Sequence, residues 1–195
     1  SVVPERDFRM RLSQRRLSQS NRLRQYGVDG QDEAIGAGVE TLVTSQRPDG
    51  SFGDGGETGY AALALLAQGD CSAEVSPRGR AVRSAIRRLL ARTQEGEIHG
   101  AMLAALVEDF GLSYDCLDDF ERKDYLKAIR KLIVSVPDDD ISREALLLAH
   151  LAGFAIPAGR LGEAASFGSP DRAPMLALEP TRLRASIGTQ RSQLR

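Results

Sequence analysis

The sequence has no tryptophan, and aromatic residues make up only 5% of its 195 residues. Sheets that pack face to face favour β-branched and aromatic residues, whereas a core of leucine and alanine suits packed helices. Hydrophobic residues total 42%, which is enough for a real core in a chain of this length. The composition therefore favours one all-α domain over a β-sandwich.

Long apolar runs are also missing. The longest, around "AALALLA", is far shorter than the ~18 residues that a membrane-spanning helix requires. The N-terminal stretch is polar and has no apolar segment of the kind found in signal peptides. We expect no transmembrane segment, and both a cytoplasmic protein and one exported after signal removal stay open.

Cysteine is scarce, and the two residues, Cys71 and Cys116, form neither a CxxC motif nor any zinc-ligand spacing. They follow two successive predicted helices, in "GDC" and "YDC", so their thiols could lie on the same rim. A disulfide in an oxidising compartment and two buried free thiols are both open. The sequence predicts no metal site and no cofactor.

Charge is unevenly distributed, although the net charge is only -1. Residues 1–30 carry seven arginines against three acids, residues 155–195 carry six against three, and the middle carries 13 basic and 21 acidic residues. Basic arms on an acidic body can bind protein, nucleic acid or an anionic membrane, or fold back on the body. The candidate partner-binding residues of the first arm are Arg9, Arg11, Arg15, Arg16, Arg22 and Arg24.

Three segments share a plan in which an amphipathic helix precedes a helix that is apolar nearly all round: residues 34–69, 81–111 and 124–154. A period of about 40 residues is typical of helix-hairpin repeats. Because a helix that is apolar on all sides is buried on all sides, each repeat should place its first helix outside and its second inside.

These patterns predict three regions. They are a basic arm that is helical over roughly 5–25 (residues 1–30), a body of three helical hairpins (31–157) and an extended basic tail rich in Gly, Pro and Ser (158–195).

Short polar residues and glycines predict where the inner helices begin and end. Thr58 should cap the first inner helix, and an aspartate of "PDDD" should cap the third. The predicted stop signals are Gly69, Gly111 and Gly153.

The segment "GVETLVTSQRPDGSF" has a fixed order of Gly, aliphatic residue, Gln, Gly and aromatic residue, filled by Gly38, Leu42, Gln46, Gly50 and Phe52. This order resembles the repeat of the prenyltransferase and squalene-cyclase superfamily, with Phe where the cyclases favour Trp. The stretch "IHGAMLAALVEDFG" is similar to bacterial proteins that carry this repeat.

The resemblance implies an α/α toroid, of which three hairpins would form only a part. It also implies a structural role for the motif. Gln46 would hydrogen-bond loop backbone, Gly50 would permit the turn and Phe52 would pack over the Gln, so that an outer helix is stapled to an inner one.

The enzymes of this superfamily require residues that are incomplete here. The cyclase acid is Asp-x-Asp-Asp, and the nearest segment, "PDDD", offers only Asp138, Asp139 and Asp140, which surface capping also explains. Neither His99, at a helix start, nor His150, which we expect in the core, completes the zinc site of the protein prenyltransferases. We therefore expect no catalytic residues, with the three aspartates as weak candidates.

Part of a ring leaves inner helices uncovered, and exposed leucine faces are costly. The arms, a second copy or a different protein must cover them. The favoured hypothesis is a non-enzymatic scaffold that binds partner proteins in a larger assembly. The alternatives are a degenerate terpene cyclase or prenyltransferase-like enzyme, and a binder of nucleic acid or anionic membrane through the arginine-rich arm.

Overall fold

In the part of the chain that the structure describes, loops join α-helices. The structure is a computed structural model that describes Phe8 and residues 29–160, with side chains for Phe8 and from residue 34 onward. The helices are α1 (Asp29–Ser45), α2 (Gly55–Gln68), α3 (Pro77–Glu95), α4 (Gly100–Ser113), α5 (Asp119–Ser135) and α6 (Asp140–Leu151). These residues contain six helices and no strand, so the prediction of an all-α fold is confirmed.

The chain divides into two compact units, Ser1–Arg160 and Leu161–Arg195. The second unit lies outside the described residues, and with it nearly all of the predicted tail. The predicted arm helix over residues 5–25 lies there too, except for Phe8, which is helical and buried.

Polar residues start the inner helices, although one cap differs from the prediction. Asp54 caps α2 by accepting from the Glu57 backbone N–H at 2.8 Å, and the Glu57 carboxylate accepts from the Asp54 N–H at 2.9 Å. The prediction of Thr58 as the cap is wrong because the helix already begins at Gly55, and the Thr58 hydroxyl accepts from the Phe52 N–H at 3.1 Å.

Two of the three predicted stop signals lie at helix ends. Gly69 ends α2 in the left-handed region at φ 101°, and Gly153 has φ 90° just beyond the end of α6. Gly111 is instead inside α4, which continues to Ser113. A glycine costs a helix only about 1 kcal/mol, so the burial of nearly every side chain of α4 outweighs it.

The helices pack in two sets that alternate along the chain. Helices α2, α4 and α6, which we call the inner helices, pack side by side with α4 in the middle. Helices α3 and α5 pack on each other and on α4, and with α1 they form the outer helices. Each of α2 and α4 packs more closely on the outer helix that follows it than on the one before it.

Small residues let the inner helices approach closely at their N-terminal ends. A Cβ on Gly59 of α2 would lie 2.7 Å from the Ala101 carbonyl carbon of α4. A Cβ on Gly100 of α4 would lie 2.7 Å from the Ser142 backbone nitrogen of α6. Gly59, Gly100 and Ser142 recur at nearly equal spacing, so one position of the repeat sets both helix contacts.

The loop between α1 and α2 is held by three successive turns of α3. The Gly50 position leaves no room for a Cβ, which would lie 2.5 Å from the Ser84 carbonyl oxygen, and its φ is +85°. The Arg88 guanidinium lies 3.5 Å from the Asp49 carboxylate, and Arg92 donates to the Gly53 carbonyl at 2.7 Å.

The Gln46 amide contacts a different helix from the one that the motif suggested. Its Nε2 donates to the Gly50 carbonyl and to the Ala81 carbonyl of α3, both at 2.9 Å. The first is the loop contact expected from the sequence. The second contact joins the end of α1 to α3, and both are outer helices. Gln46 therefore does not link an outer helix to an inner one, as the motif had led us to expect. Of the remaining motif residues, Gly38 is exposed, whereas Leu42 and Phe52 are half-buried.

The glycine contacts lead to a stability prediction. Gly100→Ala should lower the free energy of unfolding by about 1–3 kcal/mol, because a methyl group would force α4 and α6 apart. Gly38→Ala is the matched control, since nothing lies within 4 Å of a Cβ there and alanine favours a helix. Urea unfolding measures both, and an equal effect of the two substitutions would contradict the close-contact account.

Candidate functional site

The N-terminal ends of the inner helices form one rim, which carries the candidate residues Asp138, Asp139 and Asp140. A groove of about 340 Å³ lies there, lined by Asp54, Gly56, Glu57, Tyr60, Glu97, Ile98 and His99. Tyr60 is 46% exposed, and its ring meets the His99 ring edge to face with centroids 5.7 Å apart. We call this surface the rim groove.

His99 is the N-cap of α4. Its Nδ1 accepts from the Ala101 backbone N–H at 3.1 Å, so a neutral ring carries its proton on Nε2. The ring covers Gly56, where a Cβ would lie 3.0 Å from the His99 Cδ2. The expected core position of His150 is wrong, because that residue is exposed on the last turn of α6.

Glu97 fastens the start of α2 to the end of α3. Its carboxylate accepts from the Gly55 backbone N–H and pairs with the Arg92 guanidinium at 2.7 Å. A carboxylate at a helix N-terminus is favourable because the helix dipole is positive there. This charge on the rim groove thus serves the fold.

The three aspartates of "PDDD" also lie on this rim, at the start of α6. Asp139 is the N-cap and accepts from the Ser142 backbone N–H at 2.7 Å, which is the main reason that its pKa is lowered. Asp138 and Asp140 pair with Arg143 at 3.0 and 3.2 Å. All three side chains are exposed, as the capping interpretation expects.

The rim groove is acidic and partly apolar. Burial, followed by the charges of Asp139 and Glu144, raises the pKa of the Tyr60 phenol, so the start of α6 lies close to Tyr60. Ile141 is 40% exposed on the same rim. An aromatic face beside carboxylates can bind a cationic side chain through cation–π and ionic contacts.

A buried polar cluster of Asp109, Ser72, Ser113 and Tyr125, which we call the Asp109 cluster, lies near the C-terminal ends of the inner helices. The Asp109 side chain of α4 has no exposed surface and accepts from the Ser72 N–H at 2.9 Å and from the Ser72 hydroxyl at 2.6 Å. The Tyr125 hydroxyl of α5 and, at 3.3 Å, the Ser113 hydroxyl also donate to this carboxylate. The cluster joins the loop after α2 to α4 and α5.

Burial dominates the electrostatics of this cluster. It raises the pKa of Asp109, although the hydrogen bonds from Ser72, Tyr125 and Ser113 act in the opposite direction. The pKa of Tyr125 is also raised, first by burial and then by the Asp109 charge. Because all of these groups are buried, the arrangement braces the fold and offers no surface for a substrate.

Sequence reasoning missed the Asp109 cluster, although a signal was present. Asp109 lies in "GAMLAALVEDFGLS", a helix that is otherwise apolar nearly all round, and Ser113 follows one turn later. An acid placed in a buried helix requires hydrogen-bond partners. The partners Ser72 and Tyr125 are distant in sequence, so only the tertiary structure identifies them.

The cysteines do not pair in this structure. Cys71 is buried and Cys116 is exposed, and both are free thiols. The disulfide considered from the sequence is therefore not formed here. Burial raises the pKa of the Cys71 thiol, which disfavours the reactive thiolate.

The remaining predictions concern the arginine-rich arm, metal binding and membrane-spanning helices. The six candidate arginines of the N-terminal arm, Arg9, Arg11, Arg15, Arg16, Arg22 and Arg24, lie outside the described residues. Within the described ranges, no group of three or more His, Cys, Asp or Glu is placed to hold a metal ion. None of the helices described is both long and apolar enough to cross a membrane.

Comparison with known proteins gives no relative. No family model, curated protein or solved structure matches the chain. The fold and the chemistry of its sites therefore have to carry any functional argument.

The Asp109 cluster predicts a graded mutational series. Asp109→Ala should destabilise the protein by about 3 kcal/mol or more, because it leaves buried donors of Ser72 and Tyr125 without an acceptor. Asp109→Asn retains one acceptor oxygen and should cost less. Urea unfolding of both variants tests this order, and an alanine variant as stable as the asparagine variant would contradict it.

The raised pKa of Asp109 predicts how stability depends on pH. The pKa of Asp109 in the folded state lies above its unfolded value of about 3.9. The stability that Asp109 contributes is therefore fully present below pH ~3.9 and is lost as the pH rises through the folded-state pKa. The free energy of unfolding of the wild type, minus that of Asp109→Asn, should fall with rising pH. A difference that rises instead would show that hydrogen bonding outweighs burial.

Proposed function

We propose that this chain is a non-enzymatic scaffold subunit, a partial α/α toroid that binds a partner protein at the rim groove. One observation carries the proposal: Tyr60 and Ile141 remain 46% and 40% exposed on the same acidic rim. Exposed aromatic and aliphatic side chains flanked by charge are typical of surfaces that bind protein.

The chemistry of the rim indicates what kind of segment would bind. Glu57, Asp139 and Glu144 are exposed around Tyr60 and lie on or beside the groove. A partner segment with an arginine or lysine could place its cation over the tyrosine ring and its charge near these carboxylates. The proposed ligand is therefore a basic segment of another protein.

The use of the polar residues supports a scaffold over an enzyme. The carboxylates of Asp54, Glu97 and Asp139 cap helices, and that of Asp109 braces three elements. A degenerate terpene cyclase or prenyltransferase-like enzyme would need carboxylates directed into an apolar cavity. The exposed aspartates at the start of α6 do not favour that alternative, and the nucleic-acid or membrane binder depends on arginines outside the described residues.

The test compares two exposed aromatic residues at opposite ends of the body. Tyr60 lies on the rim groove, whereas Phe120, 72% exposed, lies in the first turn of α5. Tyr60→Ala should reduce co-purification of specific partners from the source cells at least about tenfold, because truncating an aromatic anchor costs about 2 kcal/mol. Phe120→Ala is the matched control and should leave those partners bound.

A charge-reversal variant provides a second test. Glu144→Lys should weaken the binding of the same partners that Tyr60→Ala affects, since the introduced lysine would repel a basic segment. Partners that survive both rim variants, or that are lost equally with Phe120→Ala, would rule out the rim groove as the binding surface.

A further inference from the structure

The exposed side of α5 carries positive charges between two apolar side chains. Its side chains are spaced alternately by three and four residues, so they lie along one line of the helix that is about 21 Å long. They are Phe120, Lys123, Lys127, Arg130 and Val134. All of them are exposed, Phe120 by 72% and Val134 by 62%. The buried side chains of α5, among them Tyr125 and Leu132, face the other way.

Helix α3 extends this positive surface. Helices α3 and α5 pack on each other, and Lys131 near the end of α5 donates to the Gln94 carbonyl near the end of α3 at 3.4 Å. The Asp109 cluster joins the segment before α3 to the first half of α5, so the two helices run in the same direction. The exposed Arg87, two turns before Gln94, therefore lies at the level of Lys123 and Lys127. We call the surface formed by Arg87, Lys123, Lys127 and Arg130 the outer basic face.

The charges of the outer basic face are not neutralised by the described part of the chain. Other arginines bind an acid or a carbonyl, as Arg88 does with Glu95 at 3.2 Å and Arg83 with the Ser72 carbonyl at 2.7 Å. No described residue forms an ion pair or a hydrogen bond with the side chains of the outer basic face. The sequence of α3 has no acid before Glu95, and that of α5 has none after the half-buried Asp124.

The use of lysine on this face is informative. All three lysines of the sequence lie in α5, and outside α5 every basic side chain apart from histidine is an arginine. Arginine makes planar, bidentate contacts with the phosphates of nucleic acids, whereas the lysine ammonium is a compact charge on a flexible stem. Such a stem can lie along an apolar surface while its charge stays in the polar layer above it.

We propose that the outer basic face binds the surface of an anionic lipid bilayer. Its four cations contact the headgroup charges, and Phe120 and Val134 enter the interface at the two ends of the line. Apolar contact and charge attraction act together in peripheral membrane binding. On a nucleic-acid backbone these two apolar side chains would stay in water, so lipid accounts for more of the surface. The face is distinct from the rim groove, so the inference does not depend on the scaffold proposal.

The test measures co-sedimentation of the full chain with lipid vesicles. The wild type should bind vesicles of phosphatidylcholine with about 30% phosphatidylserine, and binding should fall with added salt and without the anionic lipid. Lys127→Glu combined with Arg130→Glu should lower the partition coefficient at least about tenfold, because each cation near an anionic surface contributes roughly fivefold. Both positions are exposed, and circular dichroism checks that the variant remains helical.

A matched control separates this face from the effect of net charge. Arg47 is exposed in the loop after α1, outside the outer basic face, so Arg47→Glu changes the net charge as much as Lys127→Glu does. Lys127→Glu should lower the partition coefficient at least about fivefold, and Arg47→Glu should lower it less than about twofold. Tyr60→Ala, on the rim groove, should leave vesicle binding unchanged.

A fluorescent probe reports which surface meets the lipid. Cys116→Ser removes the exposed native thiol, and Val134→Cys then places a label at one end of the line. An environment-sensitive fluorophore there should shift to shorter wavelength when anionic vesicles are added. The same label at Ile141, 40% exposed on the rim, should not shift.

The outcomes separate the possible partners of this face. A loss with the α5 variants that Arg47→Glu does not share, together with the shift at residue 134, supports the proposal. Equal losses, no vesicle binding by the wild type, or a shift only at residue 141 overturns it. Binding of a nucleic-acid duplex that the α5 variants abolish, without vesicle binding, overturns it in favour of a nucleic acid. No partner protein is needed, so the scaffold proposal can fail without affecting this result.

Discussion

The close contact of the three inner helices at their N-terminal ends is the constraint on which the rest of the structure depends. Gly59 and Gly100 bring the backbones of α2, α4 and α6 together where a single methyl group would not fit. This contact places His99, Tyr60 and the start of α6 on one rim and so creates the rim groove. At the other ends, the Asp109 cluster ties α4 to α5 and to the loop after α2.

The N-terminal caps of the inner helices and the Asp109 cluster account for much of the polar chemistry in the body. Asp54, His99 and Asp139 begin the three inner helices, and Asp109 braces the opposite ends. Groups committed in this way are poor candidates for catalysis, because moving a proton on any of them would weaken the fold. The side chains left to act on other molecules are exposed ones, which is why the proposed function is one of binding.

Local patterns in the sequence predicted more of the fold than of the sites. Apolar periodicity indicated the alternation of outer and inner helices, and Asp139 and Gly69 lie at helix boundaries as such residues commonly do. The prediction of Thr58 as a cap was wrong because Asp54 and Glu57 form a reciprocal cap four residues earlier. The contact of Gln46 with Ala81 and that of Asp109 with Ser72 span 35 and 37 residues, and the contact of Asp109 with Tyr125 spans 16. These contacts depend on tertiary packing, which no local pattern encodes. The toroid and the roles of the arms stay predictions.

The central claim is that the inner helices of one chain, in close contact at Gly59 and Gly100, form a stable body without a second copy. The most direct test is the native mass of the full chain, measured by light scattering after size exclusion over a range of concentrations. The account predicts a monomer of 21.1 kDa at every concentration. A stable dimer or larger oligomer would contradict it, since the uncovered inner faces would then be closed by further copies of the chain.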